Sequence, residues 1–116
     1  MGDKPSCDWK GASGKVYTHY IYALPQSFNE DQDGNYIYAK TNSNNAWVPI
    51  YIGQGDLGNR IGSQHHKADC IQSKGATHVH VHLNSSEQSR LDEESDLLAR
   101  FTNAYAPDGC NEKLGG

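Results

Sequence analysis

The chain of 116 residues lacks long hydrophobic runs, and this absence sets the first limit on its function. Hydrophobic residues make up only 35% of the chain, and no apolar stretch approaches the roughly 20 residues that a membrane-spanning helix needs. The first fifteen residues also lack the apolar stretch that is typical of a signal peptide. We therefore expect no membrane partner, and the sequence predicts a cytoplasmic protein.

Cysteine and positive charge are also scarce. Three cysteines, Cys7, Cys70 and Cys110, are odd in number, widely spaced and without a CxxC pair, so we expect reduced thiols and no disulfide framework. Ten Lys and Arg face 14 Asp and Glu, which gives a net charge of −4. This balance argues against a protein that holds nucleic acid mainly by bulk positive charge, although a local basic cleft is compatible with it.

The local patterns predict one α+β domain. A chain of this length has room for one compact core, with residues 1–15 as a flexible lead-in and residues 16–116 as the domain. Alternating or β-branched and aromatic runs predict strands over residues 16–24, 35–41, 47–53 and 77–83. A first helix is expected between a cap at Asp56 and a stop at Gly75, and a second over residues 84–105.

Glu94 is the most informative single residue for chemistry. On a helical wheel it falls within the apolar stripe of the second helix, between Leu91 and Leu98, whereas Glu93 points toward solvent. A carboxylate on a buried face is costly unless it is paired, protonated or bound to a metal. Two interpretations stay open: an ion pair with Arg90, or a ligand for a hard cation such as Mg²⁺.

Arg60 is the candidate for phosphate binding. It lies on the edge of the first helix's stripe, in line with Lys67 and beside a glycine-rich turn. A guanidinium in such a place suits a phosphate oxygen. A surface arginine with a buried stem is the alternative interpretation.

The histidines offer a rival chemistry. His66 and Cys70 are four residues apart in a predicted helix, and three more histidines share one face of a predicted strand: His78, His80 and His82. Both spacings can ligate zinc. Because no four-ligand pattern emerges, a solvent-facing row of histidines is favoured, and a zinc-stabilised structural domain is kept as an alternative.

Several of these residues resemble the motifs of the GIY-YIG endonuclease superfamily. The tripeptide YIG at residues 51–53, with Arg60 downstream, resembles the second motif, and the helix with Glu94 resembles the third. A late asparagine, Asn111, resembles the fourth. YIY at residues 20–22 resembles the first motif, with tyrosine in place of the leading glycine.

A second YIY at residues 36–38 makes the first motif ambiguous. The second copy is closer to the family's usual spacing before YIG. The copy at residues 20–22 is favoured because it resembles the usual strand-then-proline context, and it requires an inserted hairpin or loop between the first two motifs.

The resemblance implies a three-stranded antiparallel sheet flanked by helices and the divalent-metal-dependent hydrolysis of DNA phosphodiester bonds. Glu94 would hold one Mg²⁺ or Mn²⁺ ion and Arg60 would stabilise charge on the phosphate. The remaining implied roles are water activation by Tyr22 and Tyr51, support by Tyr38, His65 and Asn111, and DNA contacts by Gly53, Gly55 and Lys67.

The resemblance also leaves questions open. Gln64 stands where the family often has His or Tyr, so His65 is given a supporting role and no assured role as a general base. DNA is the expected partner, with specificity from a homodimer or from a separate specificity domain or protein. A catalytically inactive DNA-binding module of the same fold is the alternative function.

Overall fold

In a computed structural model, residues 5–62 and 65–112 are described. Five strands are present in this part of the chain: β1 (Ser6–Lys10), β2 (Val16–Ala23), β3 (Asp33–Thr41), β4 (Trp47–Asp56) and β5 (His78–Leu83). The helices are α1 (Leu57–Arg60), α2 (Ala68–Ser73) and α3 (Glu87–Arg100), followed by a 3₁₀ turn at Thr102–Ala104. No helix in the described ranges is long and apolar enough to cross a membrane.

The strands form a single antiparallel sheet in the order β1-β2-β5-β3-β4. The α+β class is confirmed, but the predicted three-stranded sheet is wrong. β2 pairs with β5 as a fourth strand and β1 pairs with β2 as a fifth. Since β3 lies between β4 and β5, Tyr38 pairs with both Tyr51 and Val79. The second YIY copy, rather than the favoured first copy, therefore lies beside YIG.

The N-terminal segment differs from its predicted flexible state, because residues 6–10 form β1. Trp9 is only 3% exposed, and its indole Nε1–H donates a hydrogen bond of 3.0 Å to Nδ1 of His80. The segment has no hydrophobic alternation that would indicate a strand. Backbone pairing with β2 holds it in the sheet, together with one buried indole whose hydrogen-bond partner lies 71 positions along the chain.

The sheet has two differently covered faces, because successive side chains of a strand point to opposite sides. We call one side the tyrosine face; it packs against α1 and α2, and its buried core includes Tyr36, Tyr38, Leu57, Ile71, Val79 and Val81. We call the other side the α3 face; its buried core includes Trp9, Tyr17, Ile37, Ile52 and Leu97.

The single predicted first helix is broken into α1 and α2. Its beginning is confirmed, since Asp56 caps α1 by accepting a 3.0 Å hydrogen bond from the Gly58 N–H. The helix ends at Ile61, whose backbone is extended, and Gly62 follows with φ of 139°, a conformation that glycine adopts readily. Gln64, which stands where the family often has His or Tyr, lies outside the described residues.

The buried stripe of α3 is also different from the predicted one. Glu93, predicted to face solvent, is 2% exposed, whereas Leu91 is 40% exposed. The buried residues of α3 are Arg90, Glu93 and Leu97, and Glu94 is half-buried. Glu93 is drawn inward because two histidines of the sheet lie beneath it, so its burial follows polar partners that a hydrophobic wheel does not count.

Cys70 and Cys110 form a disulfide, which corrects the expectation of reduced thiols. Their Cα atoms are 5.9 Å apart although 40 positions separate them in the chain. β5 and α3 lie between the two cysteines in the chain, and after them the chain comes back to α2. The spacing of the cysteines in the sequence does not indicate that they are close in space. Cys7 is the one free cysteine and is half-buried.

Candidate active site

A cleft of about 390 Å³ opens beside β4, the edge strand of the sheet. We call it the β4 cleft. Four parts of the chain line it: β4, α3, the residues just before α2, and the C-terminal segment. The lining residues are Tyr51, His66, Lys67, Glu94, Leu98, Tyr105, Asn111 and Glu112. Five residues that were singled out from the sequence are thus brought together: Tyr51, His66, Lys67, Glu94 and Asn111.

Glu94 offers this cleft a carboxylate that has no partner among the residues that the structure describes. It forms no hydrogen bond or ion pair with any residue in the described ranges. Burial raises the pKa of Glu94, and the positive charge of Arg60 opposes that rise. The alternative ion pair with Arg90 is wrong, because Arg90 is engaged by Gln54 Oε1 at 3.1 Å and by the Asn84 carbonyl at 3.0 Å.

Arg60 stands at the end of α1 with an exposed side chain. No hydrogen bond or ion pair joins it to the residues that the structure describes, yet its charge opposes the rise in the pKa of Glu94 and of Tyr51. Its guanidinium is therefore close enough to act on the β4 cleft while its donors stay available to a ligand.

Tyr51 is half-buried at the cleft wall. Its ring stacks on Tyr36 at a centroid distance of 6.1 Å, and its Oη lies 3.5 Å from Nε2 of His66. Burial and the Glu94 charge raise the pKa of Tyr51, against the opposing effect of Arg60. Tyr51 therefore keeps its proton at neutral pH and acts as a hydrogen-bonding group.

His65 is fixed in one tautomer. The Lys67 backbone N–H donates a 2.9 Å hydrogen bond to Nδ1, so the ring proton is on Nε2, which donates to the Tyr36 hydroxyl at 2.8 Å. Burial lowers the pKa of His65 to about 4. The ring is neutral with both nitrogens occupied, which suits a supporting residue and excludes direct proton abstraction in this arrangement.

Tyr36 is the residue that sequence reasoning missed at this site. It belongs to the second YIY copy, and its buried ring connects Tyr51 with His65. The sequence feature that could have identified Tyr36 is the shorter stretch of chain between the second YIY copy and YIG, which is closer to the family's usual spacing.

Tyr22 and Tyr38 do not line the β4 cleft. Tyr22 is on β2, separated from β4 by two strands, and its ring packs edge-on against Phe28 at 5.2 Å. Tyr38 is buried, and its Oη accepts a 3.3 Å hydrogen bond from the Gly62 N–H. It borders a different pocket, between Leu24 and α2.

The glycines beside YIG make room for the protein's own side chains. A Cβ at Gly53 would lie 2.6 Å from the Tyr36 ring and hydroxyl, and one at Gly55 would lie 2.9 Å from Arg60 Nε. Gly55 also has φ of 137°. The absence of a side chain at Gly53 therefore leaves room for the Tyr36 ring, and its absence at Gly55 leaves room for the Arg60 side chain.

Replacing Gly53 by Ala is expected to lower the free energy of unfolding by about 1–3 kcal/mol, because the buried Tyr36 ring has to shift. Urea denaturation without DNA measures this loss. Gly53→Ala in a Tyr36→Leu background is the control and should cost less. An unchanged stability in the single variant would contradict the assigned contact.

Asn111 joins the C-terminal segment to β4. Its side chain accepts from the Ile52 N–H and donates to the Ile52 carbonyl, each at 2.9 Å. The amide thus behaves like one residue of a neighbouring strand at the open edge of the sheet. This contact places Asn111 and Glu112 at the β4 cleft.

Replacing Asn111 by Ala should cost about 2–4 kcal/mol of unfolding free energy, since two buried backbone groups of Ile52 lose their partner. Thermal and urea denaturation measure the effect. Exposed Asn44→Ala, outside this contact, should change stability by less than about 0.5 kcal/mol. Equal effects of the two substitutions would argue against the anchoring contact.

Comparison with known proteins gives no assignment. No protein-family model matches the chain, and neither a curated protein nor a solved structure matches it. The chemistry of the site is therefore argued from its own geometry.

Proposed function

We propose that the chain is a divalent-metal-dependent endonuclease that hydrolyses DNA phosphodiester bonds, as its resemblance to the GIY-YIG superfamily implies. The observation that carries the proposal is Glu94. Its half-buried carboxylate has no partner in the described ranges and faces a cleft within the influence of Arg60. A buried charge without a structural partner is a feature typical of functional sites.

The donor set of the β4 cleft fits a hard cation. Mg²⁺ and Mn²⁺ take one or two carboxylates and keep several waters, and Glu94 supplies one carboxylate that no described residue engages. Glu112 lines the same cleft, although it is paired with Lys67 at 2.5 Å. When bound, such an ion polarises the phosphoryl oxygen and neutralises charge on the leaving oxygen.

In this proposal Arg60 binds the DNA phosphate that is cleaved. Its planar guanidinium can donate two parallel hydrogen bonds to phosphate oxygens, and its donors are not used within the described part of the chain. Positive charge aimed at oxygens that become more negative in the transition state lowers the barrier.

Tyr51 and His66 are assigned the attacking water. Since Tyr51 stays protonated, its hydroxyl orients the water by hydrogen bonding. The exposed His66 ring, 3.5 Å from Tyr51 Oη, is placed to accept the proton that the water releases. In this proposal His66 takes the role that the resemblance gives to Tyr22, because Tyr22 lies away from the cleft.

Loose DNA binding is expected from the charge. The net charge is −4, and Lys67 is already paired with Glu112, so little phosphate attraction remains beyond Arg60. Specificity is therefore proposed to come from a homodimer or from a separate specificity domain or protein. The cytoplasmic localisation stays a prediction.

A catalytically inactive DNA-binding module is the second candidate, favoured by the absence of Tyr22 and Tyr38 from the cleft lining. Plasmid nicking by protein without an affinity tag separates the two. The endonuclease is expected to convert supercoiled DNA to nicked circles with Mg²⁺ or Mn²⁺ and to stop with EDTA. Salt-sensitive DNA binding without nicking in either metal would favour the second candidate.

A further inference from the structure

A second group of metal-binding side chains lies on the α3 face, on the opposite side of the sheet from Tyr36 and Tyr51. His19 of β2, His82 of β5 and Glu93 of α3 each offer one ligand atom, and these atoms lie within 4.8 Å of one another. His19 is 0% exposed. The proposed nuclease chemistry uses none of the three.

The hydrogen bonding of His19 leaves a lone pair aimed at a carboxylate. Nδ1 lies 3.1 Å from the Tyr17 carbonyl oxygen, which is only an acceptor, so Nδ1 carries the proton. In the neutral ring Nε2 is then the nitrogen without a proton. Nε2 nevertheless faces Glu93 Oε2 at 3.4 Å, and both atoms are buried without a hydrogen-bond partner in the described ranges.

His19 Nε2 and Glu93 Oε2 both present lone pairs, so a proton or a metal ion has to lie between them. The distance between the two atoms helps to tell these cases apart. An O–H···N hydrogen bond would bring the two atoms to about 2.7–3.0 Å. Ligands of tetrahedral Zn²⁺, at bonds of about 2.0–2.1 Å, are roughly 3.3–3.4 Å apart. The 3.4 Å between His19 Nε2 and Glu93 Oε2 matches the spacing of metal ligands, whereas the 2.9 Å between His82 Nδ1 and Glu93 Oε1 matches a hydrogen bond, so His82 has to adjust when the ion binds.

The surroundings also match a metal centre. The bond from His19 Nδ1–H to a carbonyl is the contact that orients most metal-bound histidines. His82 Nδ1 lies 2.9 Å from Glu93 Oε1, and the His82 side chain is 34% exposed. The ion can therefore enter on this side, and the His82 ring has space to reorient. Cys70, considered earlier as a zinc ligand, is held in the disulfide.

We propose that His19, His82 and Glu93 bind one Zn²⁺ ion that ties α3 to β2 and β5. Two imidazoles and one carboxylate favour Zn²⁺ over Mg²⁺, which prefers oxygen ligands. A water molecule completes the coordination on the open side at His82. The ion joins three elements of the fold: β2, β5 and α3, the helix that also carries Glu94.

Zinc binding is tested on untagged protein with Cys7→Ser as background, which removes the free thiol. After dialysis against micromolar Zn²⁺ with millimolar Mg²⁺, elemental analysis is expected to give one zinc per chain. At a free Zn²⁺ concentration 100-fold above the dissociation constant, the Tm is expected to rise by about 10 °C.

Two test variants and two control variants decide the assignment. Glu93→Gln is expected to lose the zinc and keep the fold, because the new amide can donate a hydrogen bond to His19 Nε2. If Glu93→Gln does not fold, His82→Gln replaces it, since the His82 side chain is partly exposed. Control His78→Gln and the cleft variant Glu94→Gln should keep one zinc. Less than stoichiometric zinc in the parent, or unchanged zinc in Glu93→Gln or His82→Gln, would overturn the proposal.

Discussion

Replacing Glu94 by Gln is expected to reduce Mg²⁺-dependent plasmid nicking by at least about 100-fold. The substitution keeps the size of the side chain and removes the carboxylate that, within residues 5–62 and 65–112, lines the β4 cleft without a partner. Loss of a single charge-stabilising group in an active site costs on the order of 10²–10³ in rate. Initial rates at several Mg²⁺ concentrations measure the loss and show whether more metal restores activity.

The same substitution should leave stability equal or higher, which separates a functional role from a structural one. Burial raises the pKa of Glu94 in the folded state. Between its ordinary and raised pKa the folded state binds more protons than the unfolded state, so the unfolding free energy falls as pH rises. At neutral pH the ionised Glu94 carries that cost, and Gln removes it.

Glu87→Gln is the matched control, because Glu87 is an exposed carboxylate in the first turn of the same helix. It should nick DNA at the parental rate. Nicking that persists in Glu94→Gln would point to a different site or to a contaminating nuclease, and the proposed role of Glu94 would then be wrong. A large drop in the Tm of Glu94→Gln would instead indicate a structural carboxylate.

Removing the Cys70–Cys110 disulfide is expected to lower the free energy of unfolding by about 4 kcal/mol. The bond closes a loop with a sequence separation of 40, and the chain-entropy model gives a value of that size for such a loop. Denaturation of the Cys70→Ala/Cys110→Ala variant, compared with the parent, measures the loss. Dithiothreitol added to the parent should produce a similar decrease.

Cys7→Ser is the control for this prediction, since it removes the free cysteine and should change stability far less. Equal stability of the parent with and without dithiothreitol would contradict the disulfide. The bond joins α2 to the residue before Asn111, so its loss should also loosen the C-terminal wall of the β4 cleft. Disulfides are uncommon in reducing compartments, which counts against the predicted cytoplasmic localisation.

The sequence by itself determined the local elements. The predicted strands at residues 16–24, 35–41, 47–53 and 77–83 correspond to β2–β5 within a few residues, because alternation and β-branched or aromatic content act over adjacent positions. The cap at Asp56 is confirmed for the same reason, since its bond spans two residues. Glu94 and Arg60 were chosen by their chemistry and local pattern, and Tyr51 by the family resemblance; their roles stay predictions.

Only the tertiary structure decided how these elements meet. The fifth strand depends on the Trp9–His80 contact across 71 positions, and the C-terminal wall of the cleft depends on Asn111 and Ile52 across 59. Burial of Glu93 likewise required histidines from two distant strands. Such contacts form between surfaces that exist only after folding, so periodicity and spacing, which describe neighbours along the chain, contain no record of them.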